Sequence, residues 1–279
     1  MARPLFRAAP VRVRVPATSA NLGPGFDTLG LALGWYDDLV VKVADEGLHI
    51  DVAGEGADSV PHTERHLVVR ALRAGFAALG GQPRGLEVVC ANRIPHGRGL
   101  GSSAAAIVAG LVAARALVPG ALDLLDDQGL LRLASDLEGH PDNVAACLYG
   151  GLTVAWMNGS GAEAARLDPL PGLRPVVFVP PTRASTAKVR KLLPEAVPHV
   201  EAARNAGRAA LLVHALTNAP GLLLAGTEDW LHQGYRAPAM PRSATLVRAL
   251  RESGVPAVIS GAGPTVLAFA PDGVDLAQH

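Results

Sequence analysis

Near the start of the chain, Val11, Val13 and Val15 alternate with Arg12 and Arg14, the two-residue period of a half-buried strand, which Pro16 is expected to stop. The string TSANLGPGFDTLG, residues 18 to 30, is rich in turn formers and reads as a loop, and LVVKVA, residues 39 to 44, reads as a second strand. Helical spacing takes over in HLVVRALRAGFAAL, where Leu67, Ala71, Leu72, Ala74 and Ala78 share an apolar side ahead of a Gly80-Gly81 stop. GLEVVCANRIP is another strand. It runs into HGRGLGSSAAA, residues 96 to 106, so the local order is strand, glycine loop, alanine-rich helix. A further helix through LLRLASDLEGH precedes PDNVAACLYGG, where Pro141 suits a first helical turn and Gly150-Gly151 ends the segment.

From about Met157 the pattern changes. NGSGAEAARLDPLPGLRP reads as a Gly- and Pro-bearing connection, VVFVP as a buried strand, and Lys188 to Leu193 as a short helix. Two helical segments follow, near Ala202 to Leu216 and Ser243 to Ser253, and AVISGAGPTVLAF closes with strand, glycine turn and strand. This organisation predicts two domains, residues 1–157 and 158–279, with neither a fixed-period repeat nor a low-complexity segment.

Composition narrows the function. With 279 residues, 49% of them hydrophobic and 18% charged, the chain can bury one large core or two modest ones. Twenty-five basic residues balance twenty-five acidic ones, so no net field draws nucleic acid or an anionic membrane, and any charged ligand must be held locally. Cys90 and Cys147, both in apolar surroundings, suggest neither a disulfide framework nor a zinc site, and a reducing cytoplasm is expected. The longest apolar stretch, Ala104 to Ala114, is too short to span a bilayer, and the Arg-containing first fourteen residues lack a signal-peptide core.

The candidate chemistry starts at the glycine loop. Glycines allow close approach to backbone N–H groups, and a helix beginning there directs unpaired N–H groups and the positive end of its dipole at the same spot, which suits an anion such as phosphate. Known patterns fail individually: no lysine follows Gly101 as a P-loop requires, Ser102 stands where a dinucleotide fingerprint needs glycine, and neither Ser102 nor Ser103 has the flanking glycines of a nucleophile elbow. Taken alone, the loop fits phosphate binding or close packing.

Three separated strings agree on more. PATSANLGPGFDTLG (residues 16 to 30), PHGRGLGSSAAA (95 to 106) and SGAGPTV (260 to 266) resemble, in order and spacing, the three motifs of the GHMP kinases, and the likeness covers nearly the whole chain. Asn21 and Asp27 in the first string, with EGHPDN at 138 to 143, look most like the homoserine kinase branch of that family. The resemblance implies an α+β fold with a ribosomal-S5-like N-terminal part carrying the ATP loop, a ferredoxin-like C-terminal part, and the active site between them. It implies ATP bound by Pro95, His96, Gly97, Arg98, Gly99, Leu100, Gly101, Ser102 and Ser103, and Mg²⁺ held by Ser103 and Glu138, with Ser102 a rival for the metal. A hard cation commonly takes a single carboxylate beside phosphates and waters.

Substrate groups implied by the resemblance are Asn21, Asp27, His140, Asn143, Thr186, Arg190 and Arg236. The implied reaction is ATP-dependent phosphorylation of the homoserine hydroxyl, a step of threonine biosynthesis. Arginines suit the carboxylate, and Asp27 suits the ammonium or the hydroxyl. Asn143 stands near where mevalonate- and galactokinase-like relatives carry an aspartate. An amide cannot serve as the base, so direct in-line attack with Asp27 orienting the hydroxyl is expected.

A family member acting on mevalonate, a sugar or a diphosphocytidyl-methylerythritol would share the ATP motifs without needing the Arg190 and Arg236 pair. A non-catalytic metabolite sensor would lack the metal residues, yet Ser103 and Glu138 are both present. The family usually continues past VLAF with another helix and strand, so either the last domain is trimmed or the sequence stops short of it, and a homodimer is left open.

Overall fold

The computed structural model describes residues 4–270. Strands β1 (Val11–Ala20) and β2 (Leu29–Ala44) form an antiparallel pair at the centre of the first sheet. Contrary to the expected stop at Pro16, β1 runs on to Ala20. The register shifts between Pro16 and Ala17, so the proline sits at an irregularity of the ladder, where its missing N–H is tolerated. The loop expected over residues 18 to 30 accordingly shrinks to residues 21–28. The long β2 also pairs with β4 (Gly85–Asn92) and β5 (Leu152–Asn158), giving the order β3 (Gly47–Gly54), β4, β2, β5, β6 (Gly161–Leu167), with β1 also on β2. Among the described residues, β3 and β4 alone pair in parallel in this sheet.

Strand β6 corrects the reading of residues 158–175 as a plain connection. GAEAARL carries none of the β-branched residues that mark a strand, and an edge position beside β5 lets such a sequence pair all the same. The first sheet ends at Leu167 and the second begins with β7 (Arg174–Phe178), so we propose the domain boundary in that interval, later than residue 157. The second sheet has the antiparallel order β7, β9 (Val266–Ala270), β8 (Ala257–Ile259).

Helices α1 (Leu67–Ala78), α2 (Ser102–Leu117), α3 (Asp127–Glu138) and α4 (Asp142–Tyr149) belong to the first half. α2 and α4 lie on β1 and β2, while α1 and α3 flank α2. α2 buries Ala104, Ile107, Val108, Leu111, Ala114 and Leu117, and its alanines let neighbours approach on nearly every side. The buried face of α1 is Val68, Val69, Ala71, Leu72, Gly75 and Phe76; Ala78, expected on that face, is exposed because the helix is rotated toward Val68 and Val69.

The second half carries α5 (Thr186–Arg190), which begins and ends earlier than the expected Lys188 to Leu193, then α6 (His199–Thr217), α7 (Leu223–Gly226), α8 (Gln233–Arg236) and α9 (Pro241–Glu252). One apolar cluster runs through both halves: Leu212 and Leu216 of α6 and Val258, Leu267 and Phe269 of the second sheet join the core of the first. This shared core fixes the halves against one another and leaves a cleft where their loops meet. The C-terminal end, expected to be trimmed or to stop short, lies outside the described residues. Cys90 and Cys147 are free and buried, and burial pushes the Cys90 thiol up to about 12, so it stays an inert thiol. Among the described residues, no helix is long and apolar enough to cross a membrane.

Candidate active site

The exit from β4 is fixed by a buried carboxylate: Asp37 Oδ1 accepts the N–H of Arg93 at 2.5 Å and of Ile94 at 2.8 Å. From there the chain loops to α2, and Gly101 precedes the helix at φ 69°, a left-handed conformation in which a Cβ would collide with Thr18 Oγ1. No side chain caps α2. Its first intrahelical bond runs from Ala105 N to Gly101 O, which leaves the N–H groups of Ser102, Ser103 and Ala104 without an intrahelical acceptor at the end of the helix that lines the cleft.

The loop backbone is held from both halves. Thr18 N donates to Leu100 O at 3.0 Å on the side of the first sheet, while Thr265 N donates to Arg98 O at 3.1 Å and Ala184 N to Gly97 O at 2.9 Å on the side of the second. Ser260 Oγ donates to Gly99 O at 2.6 Å, and a Cβ at Gly99 (φ 78°) would strike Ser260 O. Arg98 turns its guanidinium away from the loop's open side, donating to Pro180 O at 2.8 Å and Pro181 O at 2.6 Å. Leu100 is buried in the core.

Across from the helix end, Ser103 Oγ donates to Glu138 Oε1 at 2.5 Å. Glu138 is the last residue of α3, which Gly139 terminates in the left-handed region at φ 93°. Burial raises the Glu138 carboxyl above its ordinary range, opposed by the Ser103 hydrogen bond and by His140. The donor set of one hydroxyl and one carboxylate suits a hard divalent cation that draws its other ligands from phosphates and water, and no cluster of three metal-ligating side chains exists among the described residues.

The other end of the cleft carries charge of both signs. Asn21 (φ 68°) and Asp27 (φ 52°) adopt the left-handed backbone that Asn and Asp tolerate best. Asn21 braces its loop, accepting from Asp27 N at 2.9 Å and donating to Gly261 O at 3.0 Å. Arg190, at the end of α5, donates through Nη2 to Asp27 Oδ1 at 2.6 Å and Oδ2 at 2.8 Å. His140 Nδ1 meets Asp142 Oδ1 at 2.7 Å, and this carboxylate lifts the imidazole above its ordinary pKa. The same oxygen accepts the Asn143 N–H at 2.7 Å, and Thr18 Oγ1 donates to Asn143 Oδ1 at 2.8 Å, which turns the amide nitrogen away from Thr18. Arg236 is only 3% exposed and lies 5.1 Å over the Phe26 ring.

One cavity of about 220 Å³ brings together Asn21, Asp27, Gly97, Gly99, Gly101, Ser102, Ser103, Glu138, His140, Asn143, Thr186, Arg190 and Arg236. Of the residues expected from sequence, Pro95, His96, Arg98 and Leu100 do not line it. An adjoining cavity of about 300 Å³ shares Ser102 and Ser103 and takes His96, with Val15, Leu39, Val60, Val68 and Asn92 in its wall. The sequence reading missed that second cavity, together with Thr18, Asp142 and Gly261.

Two family models match the chain. The GHMP kinases N terminal domain model matches residues 66–151 and the GHMP kinases C terminal model matches residues 203–278. The homoserine kinase of Streptomyces avermitilis is 68% identical over 270 residues, covering 97% of this chain and 88% of that protein. The chain belongs to the homoserine kinase branch of the GHMP kinases. The homoserine kinase of Clavibacter michiganensis subsp. michiganensis is 56% identical, covering 94% of this chain and 83% of that protein. Among solved structures, homoserine kinase from Cytophaga hutchinsonii superposes with a TM-score of 0.83 at 28% identity, covering 94% of this chain and 85% of that one. The mevalonate kinase of L. major, with a TM-score of 0.71 at 18% identity over 98% of this chain and 91% of that one, shares the fold. This GHMP kinase is therefore a phosphotransferase, and membership of the family implies ATP as phosphoryl donor.

Proposed function

We propose that this chain transfers the γ-phosphoryl group of ATP to the side-chain hydroxyl of L-homoserine, giving O-phospho-L-homoserine for threonine biosynthesis. The observation that carries this reading is the polarity of the single 220 Å³ cavity: glycine loop, helix N-terminus and Ser103–Glu138 at one end, Asp27 with two arginines at the other. The adjoining, more apolar cavity suits the adenosine of ATP, because its shared Ser102 and Ser103 put the base on the far side of the phosphate end.

The phosphate end needs backbone donors, and the free N–H groups of Ser102, Ser103 and Ala104 supply them. Ser103 Oγ and Glu138 would hold Mg²⁺, which when bound offsets the negative charge on the transferred phosphoryl group. At the other end Arg236 and Arg190 bind the substrate carboxylate, while Asp27, released from Arg190, takes the ammonium and orients the hydroxyl. An amino acid brings one charge of each sign, so it can exchange the Arg190–Asp27 pair for two new pairs without adding net charge to the cleft. His140 and Asn143 line the same space, each held by Asp142 Oδ1. Neither Asn143 nor any neutral histidine is required as a strong base: the hydroxyl oxygen attacks phosphorus in line as the bond to the β–γ bridging oxygen breaks, and the hydroxyl proton passes late to an oxygen of the transferred phosphoryl group. The test is coupled ADP release across homoserine, mevalonate, galactose and shikimate. Turnover with homoserine alone is expected, and turnover with another acceptor at homoserine's expense overturns the reading.

A further inference from the structure

His232, which precedes α8, lies outside the groups assigned above, yet it touches one of them. Its ring is 1% exposed. Nε2 sits 2.8 Å from Gly23 O, and a carbonyl only accepts, so Nε2 carries the hydrogen. Nδ1 sits 3.2 Å from Arg236 Nη1, and a guanidinium only donates, so Nδ1 is bare. The two partners thus select one tautomer of the neutral imidazole. Burial favours the same state by lowering the pKa of the ring. Asp229, whose Oδ2 is 3.7 Å from Nε2, is already occupied: its oxygens accept the N–H groups of Leu231 at 2.9 Å, His232 at 3.2 Å and Gln233 at 2.6 Å, which fixes the start of α8.

The partners of Arg236 make this arrangement more than packing. Its hydrogen-bond acceptors are His232 Nδ1 and, at 3.4 Å, Gly261 O, both uncharged; Nε has no acceptor, and no carboxylate of the described residues lies within ion-pair distance. Arg190, by contrast, is paired with Asp27. A carboxylate in place of the imidazole would orient the guanidinium and also neutralise it. A neutral ring acceptor orients it and leaves the whole charge available. The Phe26 face, 5.1 Å from the His232 ring and 5.1 Å from the guanidinium carbon, completes a clamp with the same property.

We propose that His232 is a positioning residue: it aims the Arg236 guanidinium into the cavity, through a neutral hydrogen bond, for capture of the substrate carboxylate. This rests on the reading of Arg236 as the carboxylate site. Two variants separate the two ring nitrogens. In His232→Asn the amide oxygen occupies the place of Nδ1 and can still accept from Arg236; in His232→Gln the amide nitrogen occupies the place of Nε2 and keeps only the bond to Gly23. His232→Gln is expected to raise KM for homoserine about tenfold, the effect of one hydrogen bond to a charged group, with kcat and KM for ATP within about threefold of the unmodified enzyme. His232→Asn is expected to stay within about threefold in all of them. The reverse ranking would assign His232 to holding the Gly23 loop and overturn the proposal. Arg236→Ala measured alongside distinguishes the layers: an unchanged KM for homoserine there removes the carboxylate reading and the role of His232 with it, whereas a raised KM there with an unaffected His232→Gln removes only the role of His232. Should His232→Gln fail to fold, ¹⁵N-histidine NMR of the unmodified chain decides the matter. A hydrogen-free Nδ1 on His232 supports the bridge, and a protonated Nδ1 refutes it.

Discussion

Replacing Thr18 by valine isolates one buried hydrogen bond that reaches the substrate end of the cavity. Thr18 is fully buried, and its Oγ1 donates to Asn143 Oδ1 at 2.8 Å. Valine keeps the shape, removes the donor and leaves the side-chain carbonyl of Asn143, a residue only 9% exposed, without its partner. Leaving a buried acceptor unpaired costs about 1–3 kcal/mol. At roughly 2–4 °C per kcal/mol for a chain of this size, a mid-range loss lowers Tm by about 6 °C. The same change releases the amide to turn its oxygen toward the substrate, so kcat/KM for homoserine is expected to fall about tenfold, one hydrogen bond's worth of barrier. Thr18→Ser is the control, because it keeps the hydroxyl and loses one methyl, about 0.8 kcal/mol of burial. Thermal melts and ADP-release kinetics on the three proteins give both readouts. Serine should cost a little stability and no activity, and valine should cost both. Equal activity in the two variants would refute the claim that the hydroxyl orients Asn143.

Glu138→Gln should lower turnover by at least two orders of magnitude, about 3 kcal/mol of barrier, with the fold intact by circular dichroism, and Ser103→Ala should act the same way less severely. Near-normal turnover at saturating Mg²⁺ would remove Glu138 from the metal role, and a larger loss in Ser102→Ala would move the hydroxyl role to Ser102. Arg236→Ala should weaken homoserine use about tenfold to a hundredfold and spare ATP affinity; homoserine amide should be a poor substrate that loses little more in the variant, and independent, additive losses would separate Arg236 from the carboxylate. Gly99→Ala puts a side chain at φ 78° against Ser260 O, so KM for ATP should rise about tenfold with a fall in Tm, and unchanged values would show that the loop relaxes freely.

The elements with strong periodicity were legible in the sequence: α1, α2, α3 and β4 stand where their patterns place them. Pro16 misled because a proline at a register shift looks, in one dimension, like a proline at a strand end. β6 was hidden because small and charged residues can pair at an edge without a hydrophobic alternation. In the site, residues whose roles the family motifs carry could be named from them, whereas Thr18, though inside the first string, acts through a partner 125 positions away, and the His232 ring is oriented by a carbonyl 209 positions away. No local pattern records such a pairing. Arg98 shows the converse: it lies within the loop motif, yet its charge is spent on Pro180 and Pro181.

The glycine loop is bonded to β1 through Thr18 and to the closing turn of the second sheet through Ser260 and Thr265. Its shape and the spacing of the two halves are therefore one mechanical variable. A ligand that stiffens the loop must also stiffen the junction, and a strain applied at residues 260–265 must be felt as altered grip on phosphate. Hydrogen exchange at the Thr18 and Thr265 amides should slow together when nucleotide binds, since each amide donates to a carbonyl of that same loop. Gly261 lines the same cavity from the other side, so on the proposed substrate site the amino acid and the nucleotide share this junction.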